Sequence, residues 1–348
     1  AVFSRQSDST GILVHEGTYA AKKGEVSYLF HYLRGNITWN PSEYITLQGG
    51  YGKNFIGDGY RSLFLSGHSS RYPFVKIIGT VWRLQYMVLY AKLKDIRGYS
   101  TDFHLHNTYF ATHSLSWNIS QNFNIHFFET VIWSARDSLG HRGFEWQYLN
   151  PVIFYRPVEF SLGSSDNVLL GAGFKCKLFS GTFCYGQLLI DEFYLKRIMD
   201  RNKWWGNKFG IKTGIKSFEK KKKKNLYLQA EMNIVRPYTY SHLEPIQNYG
   251  HYYQPLAHPL GANFSEQLLL LRFLKGRFSI NNRFSYVIYG DDKKKSPASY
   301  GKDIYKSYEQ RTGDTGIHLF QGNKKQFVFN TLQLEYLLNQ AMGLRLFV

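Results

Sequence analysis

Five carboxylates stand among apolar, strand-forming residues: Glu129, Asp191, Glu192, Glu231 and Glu266. Two such acids roughly 5–10 Å apart could hydrolyse a glycosidic bond, one as acid and one as nucleophile or base. Nothing in the sequence fixes that separation. Basic residues sit on neighbouring segments at Lys175, Arg236, Arg272 and Arg283. Mixed charges of this kind more often form a ladder of ion pairs, so the ladder is the expectation, with ligand contact second and catalysis last. Glu129 breaks the alternation of Phe123, Ile125 and Phe127, which predicts a bulge that turns it to the polar side. His242, His251 and His258 share the 237–263 segment, but their spacings match no common metal motif. Gly50, Gly52, Gly57 and Gly59 fit neither a dinucleotide fingerprint nor a phosphate loop, and read instead as a bend. Asp58 and Arg61 are then expected to brace that loop at the outer mouth. No Gly-x-Ser-x-Gly elbow occurs. The chain is therefore read as non-enzymatic, with no cofactor.

The elements that carry these residues are strands. Aromatic residues make up 18% of the chain, with 27 Tyr and 27 Phe, a composition that favours strands. Hydrophobic residues at 43% exclude a disordered chain, and two cysteines exclude a disulfide scaffold. No apolar run approaches the length of a membrane-crossing helix. The opening residues lack a signal-peptide core, so any leader is expected to lie outside this sequence. Alternation with period two runs through segments of ten residues and more. In the clearest, Leu226, Leu228, Ala230, Met232 and Ile234 share one face, and Tyr227, Gln229, Glu231 and Asn233 the other. Lys208, Lys212 and Lys216 repeat on the polar side of another. Strands of a soluble sandwich are usually shorter, whereas membrane barrels use tilted strands of about ten residues.

Fifteen strands are predicted, beginning with 10–19 and 26–39 and ending with 325–336 and 341–348. Their connections alternate between short turns and long loops, as in outer-membrane barrels. Such barrels have even strand numbers, so about 16 strands (14–18) and one further strand beyond this sequence are expected. The fold class predicted is thus all-β: one antiparallel transmembrane barrel over 1–348, with long outer loops and short periplasmic turns. Trp82, Trp133, Trp146, Trp204 and Trp205 fall near strand ends, where an aromatic girdle belongs. Cys176 and Cys184 should face each other across a hairpin as free thiols, because a disulfide between directly opposed strands is strained.

Several segments resemble a Bacteroidota family of outer-membrane barrels, the gliding-motility RemB proteins, related to the capsule-assembly Wzi-like proteins. They are Gly50–Leu63, Phe127–Glu129, Asn150–Pro151 through Arg156–Glu159, Gly186–Phe193, Asn207–Gly210, Asn233–His242 and His258–Asn263. Together they span about two-thirds of the chain. The resemblance implies an outer-membrane barrel concerned with gliding or with surface polysaccharide, and no chemical step.

Partners follow from charge and from one loop. Lys plus Arg number 43 against 25 Asp plus Glu, a formal charge of +18. Basic rim residues could pair with the phosphates of lipopolysaccharide. The lysine run 220–224 reads as a solvated turn, not a nucleic-acid site, which would interleave aromatics. It could also meet an anionic polysaccharide or another envelope protein. The 236–263 segment carries Tyr238, Tyr240, Tyr249, Tyr252 and Tyr253 among prolines, so an ordered outer loop is expected. Its candidate contact residues are Tyr238, Tyr240, His242, Tyr252, Tyr253 and His258, with Arg236 held by Glu231 or Glu266. Three functions remain: an interaction component of gliding or export machinery, a polysaccharide-binding barrel, or a small-solute pore. Bulky inward residues such as Tyr185, Phe183 and Tyr227 favour a filled interior over a pore.

Overall fold

The computed structural model describes residues 11–13, 19–23, 27–29, 33–95, 106–137, 140–141, 143–150, 166–221, 224–293 and 296–347. One antiparallel meander of 14 strands dominates it. The sheet starts with β1 (Gly35–Trp39), β2 (Ile45–Gly52), β3 (Tyr72–Val81), β4 (Leu84–Asp95) and β5 (His106–Asn118). It continues through β6 (Phe123–Ser134), β7 (Asn167–Phe179), β8 (Thr182–Glu192), β9 (Lys208–Lys221) and β10 (Lys224–Val235). It ends with β11 (Phe264–Lys275), β12 (Phe278–Asp291), β13 (Asn323–Asn339) and β14 (Leu344–Phe347).

The alternation dictates which face is buried, and the result is inverted relative to a soluble sheet. On β10, Leu228 is 45% exposed and Met232 38%, while Glu231 and Asn233 are buried. Ile211 and Ile215 of β9 and Leu188 of β8 lie on the same exposed apolar face. Polar side chains share the inside with an apolar cluster that includes Leu63, Phe64, Leu89, Phe128 and Leu189, and apolar side chains coat the outside. A sandwich would bury Leu228 between sheets. Connections alternate as predicted. Short turns such as 82–83, 180–181 and 276–277 occupy one rim, and the long segments 53–71, 193–207, 236–263 and 292–322 the other.

The sheet curls around the loop 53–71. Asn54 accepts a hydrogen bond from Lys76 of β3, and Tyr60 accepts one from Arg283 of β12. Laid flat, ten strands at about 4.8 Å spacing would separate those two by some ~43 Å. Six residues of loop bridge them only because the strands wrap round it.

Several expectations change. Among the described residues, 10–39 do not supply two long strands. Gly11–Leu13, Tyr19–Lys23 and Ser27–Leu29 form a separate three-stranded sheet, and only Gly35–Trp39 joins the meander. The main sheet therefore has 14 strands, with β1 and β14 as its edges among the described residues. No bulge interrupts β6 at Glu129. Its pairing with β7 is continuous from Ile132↔Asn167 to Phe123↔Cys176. Glu129 keeps the outward parity of Phe127, yet is only 1% exposed, beside a cluster of Val131, Trp133, Tyr148 and Val168 on that face. Trp133 and Trp205 are buried, so they belong to packing and not to a girdle, whereas Trp82 and Trp146 are each 75% exposed. Cys176 and Cys184 face each other in register as free thiols.

Candidate functional site: a clasped loop inside the sheet

The residues that chemistry first singled out converge on the 53–71 loop. Glu231 of β10 accepts the backbone N–H of Tyr60 at 2.8 Å and of Arg61 at 3.1 Å. The Tyr185 hydroxyl and the Asn233 amide also donate to Glu231, at 2.9 and 3.0 Å. One strand along, Glu266 of β11 receives the Arg61 guanidinium through two nitrogens, each at 3.3 Å. His258 donates to the same carboxylate at 2.7 Å and Ser285 at 2.9 Å. Donors saturate both acids, which is how a buried carboxylate avoids the cost of lost hydration. Neither has a free side to offer a substrate, so the pair clamps a loop.

Lysines of β9 complete the clasp. Lys212 Nζ donates to the Arg61 carbonyl at 2.7 Å, and Lys216 Nζ to the Asp58 carbonyl at 2.5 Å. Lys175 of β7 pairs with the Asp58 carboxylate at 2.9 Å. Gln187 of β8 accepts from the Leu63 amide at 3.0 Å. Lys216 is eight residues into β9 from Lys208, so at ~3.3 Å per residue the loop reaches up to ~26 Å inward along the strands. Two glycines permit that approach. Gly57 has φ +146, and a Cβ on Gly59 would run into Glu231 Oε2 and Lys212 Nζ. Arg61 and Asp58 thus brace the loop deep inside the sheet, not at its mouth.

A second cluster sits nearer the long-loop rim. Lys208 is fully buried and pairs with Asp191 at 3.0 Å and Glu192 at 3.1 Å. Adjacent residues of a regular strand point oppositely. The register shift between Ile190 and Glu192 lets both acids reach one lysine. Asp191 also accepts the Tyr240 amide at 2.7 Å, and Lys208 donates to the Ser241 carbonyl at 3.1 Å. The 236–263 segment is tied down in this way and packs against the first loop. The Tyr240 hydroxyl donates to the Leu63 carbonyl at 2.8 Å.

That segment is ordered, as its prolines and tyrosines predict, but it is mostly buried. Tyr238, Tyr240, His242 and His258 are buried, and Tyr252 and Tyr253 are half-buried, with Tyr253 stacked on Tyr305 at 4.2 Å. Burial lowers the His242 and His251 pKa values to about 4. His251 Nδ1 accepts the Lys94 amide at 3.0 Å, which leaves Nε2–H to donate to the Arg71 carbonyl, also at 3.0 Å. Burial likewise lowers the His258 pKa, against the opposing pull of Glu266. The three histidines have separate partners and share no ligand position.

Arg236 does not take the predicted partner. Its Nη2 donates to the Trp204 carbonyl at 3.3 Å, and its guanidinium lies 5.5 Å from the Phe209 ring centroid. Arg61 occupies Glu266 in its place, and Arg236 lies beyond the rim end of β10. Sequence reasoning named the alternate lysines 208, 212 and 216 but not what they hold. Neither Gln187 nor Ser285 was singled out as a site residue, since a lone inward amide or hydroxyl carries no pattern.

Below the clasped loop, towards the short turns, lies a cavity of about 550 Å³. Phe55–Asp58 roof it, and β4 to β8 wall it.

No protein-family model matches this chain, and no curated protein matches it. Among solved structures it is similar to Wzi, an outer membrane protein involved in group 1 capsule assembly in Escherichia coli, described as a carbohydrate-binding β-barrel. The TM-score is 0.59 at 14% identity, covering 98% of this chain and 66% of that one. This chain therefore spans about two-thirds of Wzi's length. At that identity the likeness is one of fold, a large antiparallel all-β architecture shared with the Wzi barrel.

Proposed function

We propose that the chain is an outer-membrane β-barrel that binds an anionic surface polysaccharide and catalyses no reaction. Its exposed apolar face meets lipid, and its long loops face the cell exterior. The observation that carries this reading is the clasped 53–71 loop. It fills the interior with an apolar cluster, ion pairs and main-chain hydrogen bonds, which argues against a small-solute pore. A filled interior directs function to the rims and to the cavity beneath the loop. The charge of +18 suits a polyanion, and the fold resembles that of a carbohydrate-binding barrel. Fold likeness alone does not assign function, so the charge and the filled interior carry the remainder. The segment 193–207 supports a lipid contact at the outer rim. Phe193, Tyr194, Leu195 and Met199 are exposed there beside Lys196, Arg197, Arg201 and Lys203, a mixture suited to anionic lipopolysaccharide.

The likeness to Wzi lends nothing to a role in gliding motility, and no described residue favours it. The test is retention of the refolded chain on immobilised acidic capsular polysaccharide, with neutral dextran as control. Retention on the acidic polymer that fades as salt rises from ~0.05 to ~0.5 M is expected, because screening shortens the reach of charge. Equal retention on both polymers, or on neither, refutes the reading.

A further inference from the structure

We propose that the 550 Å³ cavity beneath the clasped loop is a binding site for a short carboxylated saccharide, entered from the rim that bears the short turns. The inference rests on the polysaccharide reading and adds a second contact, reached from the rim opposite the long outer loops. The volume lies within the range of small-ligand sites. The wall chemistry is that of a sugar site. Ser116, Asn118 and Asn124 form one polar surface in which the Asn124 amide donates to both of the others at 2.9 Å. Phe55 and Phe183 supply flat apolar faces for the C–H side of a pyranose ring. His126 lines the same cavity, is 6% exposed, and its Nε2 has no hydrogen-bond partner. A buried polar atom without a partner is costly, and a ligand hydroxyl would satisfy it.

Charge selects the class of sugar. Three ionic groups line the cavity: Asp58, Lys175 and Lys177. Asp58 and Lys175 satisfy one another at 2.9 Å, and the Lys216 ammonium donates to the Asp58 carbonyl behind them. Lys177 is exposed, and no ion pair forms at it among the described residues. One uncompensated ammonium beside neutral amides and hydroxyls matches one carboxylate of an acidic saccharide, its other rings lying towards the rim. A phosphate would call for more cations, and a neutral sugar would leave the lysine unused.

The full chain in detergent can be titrated calorimetrically with trigalacturonate and with maltotriose. Trigalacturonate should bind roughly tenfold or more tightly, the size of one hydrogen bond to a charged group. Lys177→Gln, a substitution at an exposed side chain, should remove that preference. Ser116→Phe should fill the cavity and abolish binding of both sugars, with unaltered heat-modifiable migration showing that the sheet still forms. Equal affinity for the two sugars, or a preference that survives Lys177→Gln, overturns the site. If Ser116→Phe fails to fold, the Lys177→Gln titration decides. Retention of long acidic polysaccharide by a chain that ignores trigalacturonate refutes this cavity and leaves the polysaccharide reading intact. Failure of both experiments refutes both.

Discussion

Arg61 and Arg236 have the same side chain and opposite importance. Arg61 bridges to a carboxylate that is 2% exposed, through two nitrogens. Truncating it leaves Glu266 with His258, Ser285 and Asn233 as donors but no permanent cation. Arg61→Ala should therefore cost roughly 2–3 kcal/mol, below the full penalty for orphaning a buried charge because those donors remain. Arg236 gives up one long hydrogen bond and one ring contact, so Arg236→Ala should cost about 1 kcal/mol. Urea unfolding of both variants in the same detergent measures the order, and a larger loss at Arg236 would refute the clasp.

The histidines make a separate prediction at this scale. His242 and His251 have folded-state pKa values near 4, below the ordinary 6.5. Their neutral forms contribute stability fully above about pH 6.5, and that contribution is lost as the pH falls from 6.5 towards 4. The urea midpoint should be flat above pH 7 and decline steadily below 6.5. His251→Gln should reduce the slope, because one proton fewer is taken up on unfolding. A midpoint unchanged between pH 7 and 5 would contradict the buried neutral rings.

Among the elements, strands were legible in the sequence and the loop that fills them was not. Period two placed Leu228 outside and Glu231 inside, and hairpin symmetry about residue 180 put Cys176 opposite Cys184. These features repeat locally, so a sequence displays them. The clasp joins Arg61 to Glu231 across 170 positions and to Glu266 across 205. No periodicity encodes such contacts. The acids and lysines were recognisable as inward groups, but their partners depend on a loop entering from the rim, and nothing in Gly57-Asp58-Gly59 says inward. Gly57 tests that entry. A β-branched side chain at φ +146 is strained, and its Cβ would lie 2.6 Å from Gln187 Nε2. Gly57→Val should expel the loop while the strands still assemble, seen as new protease cleavage within 53–71 of a chain that keeps its heat-modifiable migration. Full protease resistance would show that the glycine is dispensable.

For the whole molecule the question is where lipid and water lie. Leu228 is near the middle of a 12-residue strand and 45% exposed. Leu228→Arg should cost about 2–4 kcal/mol in a bilayer, and far less if that face meets water. Equilibrium unfolding from lipid vesicles discriminates between these. Conductance offers an independent view. The native chain should pass almost no current in a planar bilayer, whereas replacing residues 55–69 by a short glycine–serine link should open a steady ohmic pathway. A native chain that conducts as well as the shortened one would restore the pore.

The clasp holds its loop chiefly by the main chain. Glu231 takes two amide hydrogens, and Lys212 and Lys216 take two carbonyls. The loop's side chains then close the remaining gaps: Ile56, Leu63, Phe64 and Leu65 are buried in the apolar cluster that the strands complete, and Ser62 and Ser66 donate to the Ile56 and Ala257 carbonyls. Of residues 53–71 only Phe55 and Gly67 are exposed. The loop is a keystone, not an insert: Phe55, at the cavity roof, is where its surface can be rewritten while the fourteen strands stay as they are.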